Sequence, residues 1–210
     1  MPTPRSAVTA QQKKSRRNRP SPRSRLLESA TNLFSTEGIR VIGIDRILRE
    51  ADVAKASLYS LFGSKDNLVI AYINALDEQY RTRWSERAQS LSTEGQLLLF
   101  FDMAIEDEPS KEFRGSHFLN AAGEYPRPET EAEQGIVQAC LDHREWMHSA
   151  LTRLLTARNG YPSAGQASQL LVLLDGGLAG ARLLRSVEPL RLARDMAEQM
   201  LAAPAADYSI

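Results

Sequence analysis

Residues 43–68 read GIDRILREADVAKASLYSLFGSKDNL, and this stretch decides the fold. A helix of about two turns is predicted by apolar residues at the spacing of one helix face, namely Ile44, Ile47, Leu48 and Ala51. A turn at residues 52–54 separates it from a second short helix at about residues 55–61, in which Leu58 faces inward together with Phe62. Gly63 ends that helix. Two short helices joined by a tight turn are therefore predicted.

The residues on either side of this stretch extend the helical pattern. Upstream, Ser21 and Pro22 provide a helix start, apolar residues recur at one-face spacing from Leu26 to Phe34, and Gly38 provides a stop. Downstream, Ser64 caps a long helix. The first three helices thus form a small bundle that ends near residue 62, and the fourth joins it to the rest of the chain.

The remainder of the chain is also helical in pattern. Proline and glycine residues separate five further candidate helices, at 93–107, 111–123, 129–158, 164–185 and 188–202. No alternating apolar pattern of a β-strand is present, so we expect an all-α fold. The predicted organisation is a disordered basic arm at 1–21, a three-helix domain at 22–67, a larger helical bundle at 68–203 and a tail at 204–210.

Composition limits the possible classes of protein. The chain has 210 residues, 42% of them apolar, which is enough to bury a core. A single cysteine, Cys140, excludes an intrachain disulfide, and neither a secretory signal nor a membrane-spanning stretch is recognisable. No nucleophile elbow, phosphate-binding loop or dinucleotide fingerprint occurs, so we expect no enzyme activity and no cofactor. His143 and His148 are five residues apart, a spacing that does not suit a metal site.

The charge is unevenly distributed although its total is zero. Residues 1–25 carry eight basic side chains and no acidic one, whereas residues 76–210 carry a net charge of −7. A basic arm in front of an acidic body suggests a polyanionic partner at the N-terminal end. A solvated tail without a partner is the alternative.

The motif between Leu33 and Leu68 resembles the DNA-binding signature of the TetR/AcrR (tetracycline-repressor) family of bacterial transcriptional regulators. The resemblance rests on four segments: LF at 33–34, GIDRI at 43–47, ADVAKASLY at 51–59 and FGSKDNL at 62–68. It implies a cytoplasmic regulator, usually a repressor, that binds a palindromic double-stranded DNA operator as a homodimer and is released by a small-molecule effector. Four positions depart from the family pattern: Ile42 replaces a common threonine, Leu61 a common histidine, Asp52 a common glycine and Ala54 a Ser or Thr cap of the next helix.

The resemblance also indicates a DNA-contacting surface. The helix at 55–61 corresponds to the recognition helix, and the start of the next helix offers a phosphate site at its N-terminus. The predicted contacts are Arg23, Ile42, Gly43, Arg46, Lys55, Ala56, Ser57, Tyr59, Ser64 and Lys65.

The C-terminal bundle is expected to hold the effector and to dimerise. Bulky side chains with a few polar groups predict an apolar or aromatic ligand at Phe101, His117, Phe118, Asn120, Tyr125, His143, Trp146 and Met147. The strongly apolar helix at 164–185 and the following helix at 188–202 resemble the two helices through which family members dimerise. This resemblance implies that the interface contains Leu170, Leu174, Gly177, Leu178, Ala181 and Leu184. Ordinary core packing within one chain is the alternative for both sets. A protein of this fold could also bind DNA without an effector, acting architecturally or through a protein partner.

Overall fold

The computed structural model describes residues 19–202, which are folded into α-helices joined by turns. Most of the predicted basic arm, residues 1–18, and the predicted tail lie outside the described residues. The helices are α1 Pro22–Glu37, α2 Ile44–Ala51, α3 Lys55–Phe62, α4 Lys65–Ala88, α5 Thr93–Asp107, α6 His117–Glu124, α7 Glu131–Asn159, α8 Ala164–Leu184 and α9 Glu188–Ala202. The all-α prediction is confirmed.

Side-chain caps begin the helices where the sequence predicts them. The backbone N–H of Ser24 donates to the Ser21 hydroxyl at the start of α1 (3.1 Å), and that of Asn67 donates to the Ser64 hydroxyl at the start of α4 (3.0 Å). At the start of α7, Thr130 and Glu133 form a reciprocal capping box. Each cap satisfies a backbone donor that has no partner inside its own helix.

The predicted helix at 111–123 is wrong in its first half, because α6 begins only at His117. The chain between α5 and α6 is a compact turn in which Glu112 and Phe113 have φ angles of 53° and 57°. The fully buried carboxylate of Glu108 accepts a hydrogen bond from the backbone N–H of Gly115 (2.8 Å) and so holds the turn closed. This buried carboxylate gives residues 108–115 an alternative to helical hydrogen bonding.

Two hydrophobic cores meet along α4. The N-terminal core joins α1–α3 to the first part of α4 and also takes in side chains of α6 and α7, such as Ala121 and Ile136. The second core lies among α5, α7, α8, α9 and the last part of α4, around Trp84 and Phe100. Since α4 is one continuous helix, the boundary predicted at residue 67 falls within its first turn.

Helix α8 is central to the C-terminal bundle. Among the described helices it is the one whose length and apolar composition would suit a membrane span, but its buried side packs on α7 and α9. A Cβ atom at Gly180 would lie 2.7 Å from Cβ of Pro189, and one at Gly177 would lie 3.0 Å from Cβ of Ala193. The predicted close approach at these glycines therefore brings α9 of the same chain onto α8.

Candidate DNA-binding surface and ligand cavity

The turn between α2 and α3 presents α3 as an exposed helix. Asp52 adopts a left-handed conformation (φ 49°) that ends α2, and Leu58 and Phe62 anchor α3 to the core below. Three of the predicted contacts on this helix are exposed: Lys55, Ala56 and Tyr59. The ammonium of Lys55 lies 3.7 Å from the Asp45 carboxylate, which is an exposed and therefore weak ion pair. This face is free to enter a DNA groove.

Two arginines flank this face. Both terminal nitrogens of Arg46 donate to the Glu37 carboxylate at 2.6 Å, and its Nε donates to Glu50 at 3.1 Å. The guanidinium of Arg46 lowers the pKa of Glu37, so the pair is charged at neutral pH. Arg23 lies over the ring of Phe62, 5.2 Å from its centroid. Arg46 must exchange a carboxylate for a phosphate to contact DNA, whereas exposed Arg23 needs no such exchange.

Two predicted contacts need correction. Ile42 is only 1% exposed and belongs to the N-terminal core, so its side chain is not a DNA contact. Lys65 is turned inward: its ammonium donates to the backbone carbonyl of Ile39 (2.7 Å) and lies 5.9 Å from the centroid of the Phe34 ring. Burial lowers the pKa of Lys65. Lys65 thus joins the start of α4 to the α1–α2 link instead of clamping a phosphate, while Gly43, Ser57 and Ser64 remain predicted contacts.

A carboxylate at the end of α6 holds the DNA-binding domain directly. The backbone N–H of Ile39 donates to Oε1 of Glu124 (2.9 Å), and that of Arg40 donates to Oε2 (2.6 Å). The Arg40 guanidinium lies 4.8 Å from the centroid of the Tyr125 ring and 3.4 Å from Glu133. The link between α1 and α2 is therefore bound to the C-terminal bundle at a point distant in sequence from α4.

A cavity of about 370 Å³ lies in the C-terminal bundle, enclosed by α4, α5, α6, α7 and α8. This volume is in the range of small-molecule sites. Four of the predicted ligand residues line it: His117, Phe118, His143 and Met147. Its wall is mostly apolar and also includes Leu76, Tyr80, Phe100, Ala104, Cys140, Leu174 and Leu178. Burial raises the pKa of the Cys140 thiol to about 11.

The charged side chains of the cavity wall are paired with one another. Arg83 of α4 forms a bidentate ion pair with Asp107 of α5, and the Lys111 ammonium lies 3.5 Å from the same carboxylate. Arg144 of α7 donates to Asp175 of α8 at 2.7 Å. The Lys111 ammonium also lies 3.9 Å from the fully buried carboxylate of Glu108 behind the wall, so three cations face three carboxylates and no net charge remains among them.

The two histidines of the wall are neutral at pH 7. Burial and the nearby Lys111 charge lower the pKa of His117 to about 4. Burial also lowers the pKa of His143, although Nδ1 of this residue lies 2.7 Å from the Asp77 carboxylate on α4. The Phe118 ring stacks on the His143 ring with a centroid separation of 3.6 Å. His143 thereby joins the cavity wall to the helix that leads to the DNA-binding domain.

The other four predicted ligand residues do not line this cavity. Phe101 is buried in the second core, and Tyr125 packs under Arg40 at the domain junction. Asn120 donates to the Arg114 carbonyl (2.8 Å) and accepts from Arg182. Trp146 packs edge-on against Tyr80 behind the wall. Bulky residues alone did not distinguish core from cavity.

Several cavity residues were not predicted from the sequence. Tyr80 and Arg83 lie on α4, which we interpreted only as a connecting helix, and no local pattern marks them. Asp175 had a recognisable signal, because it is the one charged residue in the apolar run 170–181. Within residues 19–202 no cluster of histidine, cysteine or carboxylate side chains could hold a metal ion.

Comparison with known proteins agrees with this geometry. Residues 26–72 match the family model described as bacterial regulatory proteins of the tetR family. A crystal structure of a TetR-family transcriptional regulator from Streptomyces coelicolor is 32% identical, with a TM-score of 0.73; the match covers 86% of this chain and 94% of that one. The chain belongs to the TetR family of transcriptional regulators.

Of two further similar proteins, one has a lower sequence identity and the other matches over a shorter stretch. Reduced NemR of E. coli has the same fold, with a TM-score of 0.74 at 24% identity over 89% of this chain and the whole of that one. The Bacillus subtilis (strain 168) HTH-type transcriptional regulator LmrA is 36% identical over 62 residues, which is 29% of this chain and 33% of that regulator. The chain thus spans a third of LmrA, the curated relative that it matches.

Most of the predicted dimer residues of this TetR-family chain are buried within its own bundle, which corrects their assignment to an interface. Leu170, Leu174, Gly177 and Ala181 are buried against the chain's own helices, and Leu178 lines the cavity. Leu184 is exposed and remains a predicted interface residue. Other apolar side chains of α8 and α9 point to solvent, and we call this set the C-terminal apolar face: Val172, Leu183, Leu184, Leu192 and Met196.

Proposed function

We propose that this TetR-family regulator is a cytoplasmic repressor that binds a palindromic DNA operator as a homodimer and releases it when a small apolar or aromatic effector enters the cavity. One observation supports this proposal above the others. The cavity is lined by α4, and the same continuous helix begins next to the recognition helix α3. Any rearrangement of the cavity wall is therefore transmitted along one rigid element.

The release mechanism that we infer has two states. An effector shifts the protein towards the state that it binds better, and it weakens DNA binding only if that state places the recognition helices differently. Two connections carry the change: α4, through Asp77 and the wall residues beside it, and α6, which lines the cavity with Phe118 and ends at Glu124 on the α1–α2 link. Both connections begin in the cavity wall.

Dimerisation uses the C-terminal apolar face in this proposal. Val172 is 65% exposed and Leu183 is 82% exposed, which is unusual for large apolar side chains about three turns apart on one face of a helix. A two-fold axis beside α8 and α9 brings the same face of two subunits together, so that each contact across the interface occurs twice, and it covers this surface. It also presents two copies of α3 to one duplex, with half-site centres roughly 34–36 Å apart, or more if the DNA is distorted.

Contacts to DNA then divide by role. In this proposal exposed Lys55, at the start of α3, contacts a base edge, and the exposed ring and hydroxyl of Tyr59 contact sugar or phosphate. Each side chain replaced by alanine is expected to weaken operator binding by roughly 1–3 kcal/mol. The basic residues 1–18 add a further, salt-dependent attraction to phosphates.

Selection of binding sites from a random duplex library tests the proposal. The full-length protein is expected to enrich an inverted repeat, to bind it with two or more subunits and to protect both halves from DNase I. A Lys55→Ala, Tyr59→Ala protein should enrich nothing, while an Arg153→Ala control, which removes an exposed charge on α7 outside the cavity wall, retains the repeat. Enrichment of an asymmetric single site by a monomer would contradict the proposed dimer, and no enrichment at all would contradict DNA binding.

A further inference from the structure

The ring of His143 is the most informative polar group of the cavity. It is 5% exposed, it contributes to the wall, and its neighbours are aromatic: Phe118 stacks on it and Tyr80 meets it edge-on at 5.1 Å between centroids. A buried imidazole in such surroundings must satisfy both ring nitrogens or leave one of them without a hydrogen bond. The two nitrogens of His143 differ in this respect.

Asp77 determines the tautomer. Nδ1 of His143 lies 2.7 Å from Oδ1 of Asp77, and the same oxygen accepts a hydrogen bond from Nε of Arg81 at 2.8 Å. A carboxylate that is paired with arginine remains ionised and can only accept. Nδ1 must therefore carry the proton, and in a neutral ring Nε2 is left as an unprotonated acceptor.

Nε2 has no hydrogen-bond donor in the described part of the protein. Among residues 19–202, His143 forms its hydrogen bond through Nδ1. Nε2 has no partner there, but it is not among the buried polar atoms that are closed off from solvent, so it is accessible. It is thus an accessible acceptor on a ring that contributes to a mostly apolar wall. A ligand with a donor at this point gains a hydrogen bond, and one without it leaves the acceptor unsatisfied.

The rest of the wall limits the ligand further. All five charged side chains of the wall have an oppositely charged partner within it: Arg83, Asp107, Lys111, Arg144 and Asp175. A charged ligand would have to be desolvated without finding a free counter-charge, which is costly. Aromatic rings and the Met147 thioether favour an aromatic body.

We propose that the effector is a neutral aromatic molecule bearing a hydroxyl or N–H group that donates a hydrogen bond to Nε2 of His143. This inference rests on the proposed function and specifies its ligand. Phenols and related fused-ring alcohols are the simplest members of this class. Because the accepting ring is bonded to Asp77 on α4, the hydrogen bond also contacts the helix that leads to the DNA-binding domain.

A pair of probes tests the hydrogen bond without involving DNA. Isothermal titration calorimetry on the full-length protein should show 1-naphthol binding about 10–100-fold more tightly than 1-methoxynaphthalene, which has the same ring system but no donor. Equal affinity of the two compounds, or no binding of 1-naphthol, would overturn the proposal.

Variants of His143 identify the accepting atom. His143→Asn keeps an amide N–H near the position of Nδ1 for Asp77 but removes Nε2, so it should bind both probes alike. His143→Gln places an amide oxygen near the position of Nε2 and should retain part of the preference for naphthol. His117→Asn is the matched control and should keep the full preference. If the preference follows His117 instead, the assignment is wrong.

A spectroscopic readout keeps the test valid if a variant does not fold. Long-range ¹H–¹⁵N correlation on the wild-type protein should show Nε2 of His143 unprotonated, and its ¹⁵N resonance should shift on addition of 1-naphthol but not of the methyl ether. A protonated Nε2 in the free protein would overturn the proposal. If 1-naphthol forms this hydrogen bond but the protein stays bound to its operator, the proposed function is contradicted and the inference about the ligand still holds.

Discussion

The bond between Glu124 and the α1–α2 link offers a sharp test of coupling between the two domains. Glu124→Gln keeps the size of the side chain but replaces one carboxylate oxygen by an NH₂ group. The two backbone donors, the N–H groups of Ile39 and Arg40, are 2.9 Å and 2.6 Å from the carboxylate oxygens. One of them must lose its acceptor and face another donor.

The magnitude follows from these two contacts. Hydrogen bonds to a charged group contribute about 1.5–3 kcal/mol each, and water can replace part of this at the exposed Arg40 N–H. We therefore expect the free energy of unfolding to fall by about 1–3 kcal/mol. The operator affinity ratio between ligand-free and ligand-saturated protein should also fall, because one of the two connections from the cavity is weakened.

Urea denaturation and fluorescence anisotropy of a labelled operator duplex measure the two effects. Glu131→Gln is the control, because Glu131 is an exposed carboxylate at the start of the neighbouring helix α7. If Glu124→Gln and Glu131→Gln both match the wild type in stability and in the affinity ratio, α6 does not couple the cavity to the DNA-binding domain.

Three other changes test separate parts of the structure. The double substitution Val172→Glu, Leu183→Glu should convert the dimer to a monomer in sedimentation velocity. The control Leu91→Glu, at an exposed leucine outside α8 and α9, should remain a dimer. If the double variant also remains a dimer, the interface lies elsewhere. The raised pKa of Cys140, about 11, leaves about a thousandth of the thiol ionised at pH 8, so iodoacetamide should alkylate it far more slowly in the folded protein than in urea, and equal rates would show an accessible thiolate. The pKa of His117 is about 4 in the folded protein, against an ordinary value of 6.5. The contribution of its neutral ring to the free energy of unfolding is therefore complete above pH 6.5 and is lost as the pH falls towards 4. Wild type should thus lose up to about 3 kcal/mol more stability than His117→Gln between pH 7 and pH 4, and parallel stability curves would contradict a buried neutral ring.

Local signals in the sequence predicted the helices well. Caps such as Ser21 and Ser64 and stops such as Gly38 act within one or two turns, so their effect can be predicted from neighbouring residues. The error at 111–116 came from Glu108, whose buried carboxylate competes with helix formation through a contact seven residues away. No helical periodicity reveals that contact.

Orientation was harder to predict than helix position. Helix α8 is apolar on nearly every side. Its residues therefore do not indicate which side faces α9 and which side, with Val172 and Leu183, is exposed. The cavity posed a similar difficulty: Phe101 and Phe100 are adjacent large aromatics, yet only Phe100 reaches the wall. Which of two neighbouring side chains lines a cavity depends on how five helices meet, and the residues themselves do not encode this locally.

The inward orientation of the Lys65 side chain could not be predicted from the sequence either. A lysine at a helix start is typical of a phosphate contact, and nothing in the motif marks the carbonyl of Ile39 as its partner. By contrast, Lys55 and Tyr59 are exposed as the motif predicts, while Leu58 between them is buried in the core.

The central claim is that occupancy of the cavity changes the affinity for DNA, and one equilibrium measurement tests it most directly. A fluorescent operator duplex, taken from the site selection, is titrated with the full-length protein in the absence and presence of a saturating cavity ligand at one salt concentration. We predict that the ligand weakens operator binding by about tenfold or more, which corresponds to a coupling free energy of at least about 1.4 kcal/mol. Superimposable binding curves at a ligand concentration that calorimetry shows to be saturating would contradict the account.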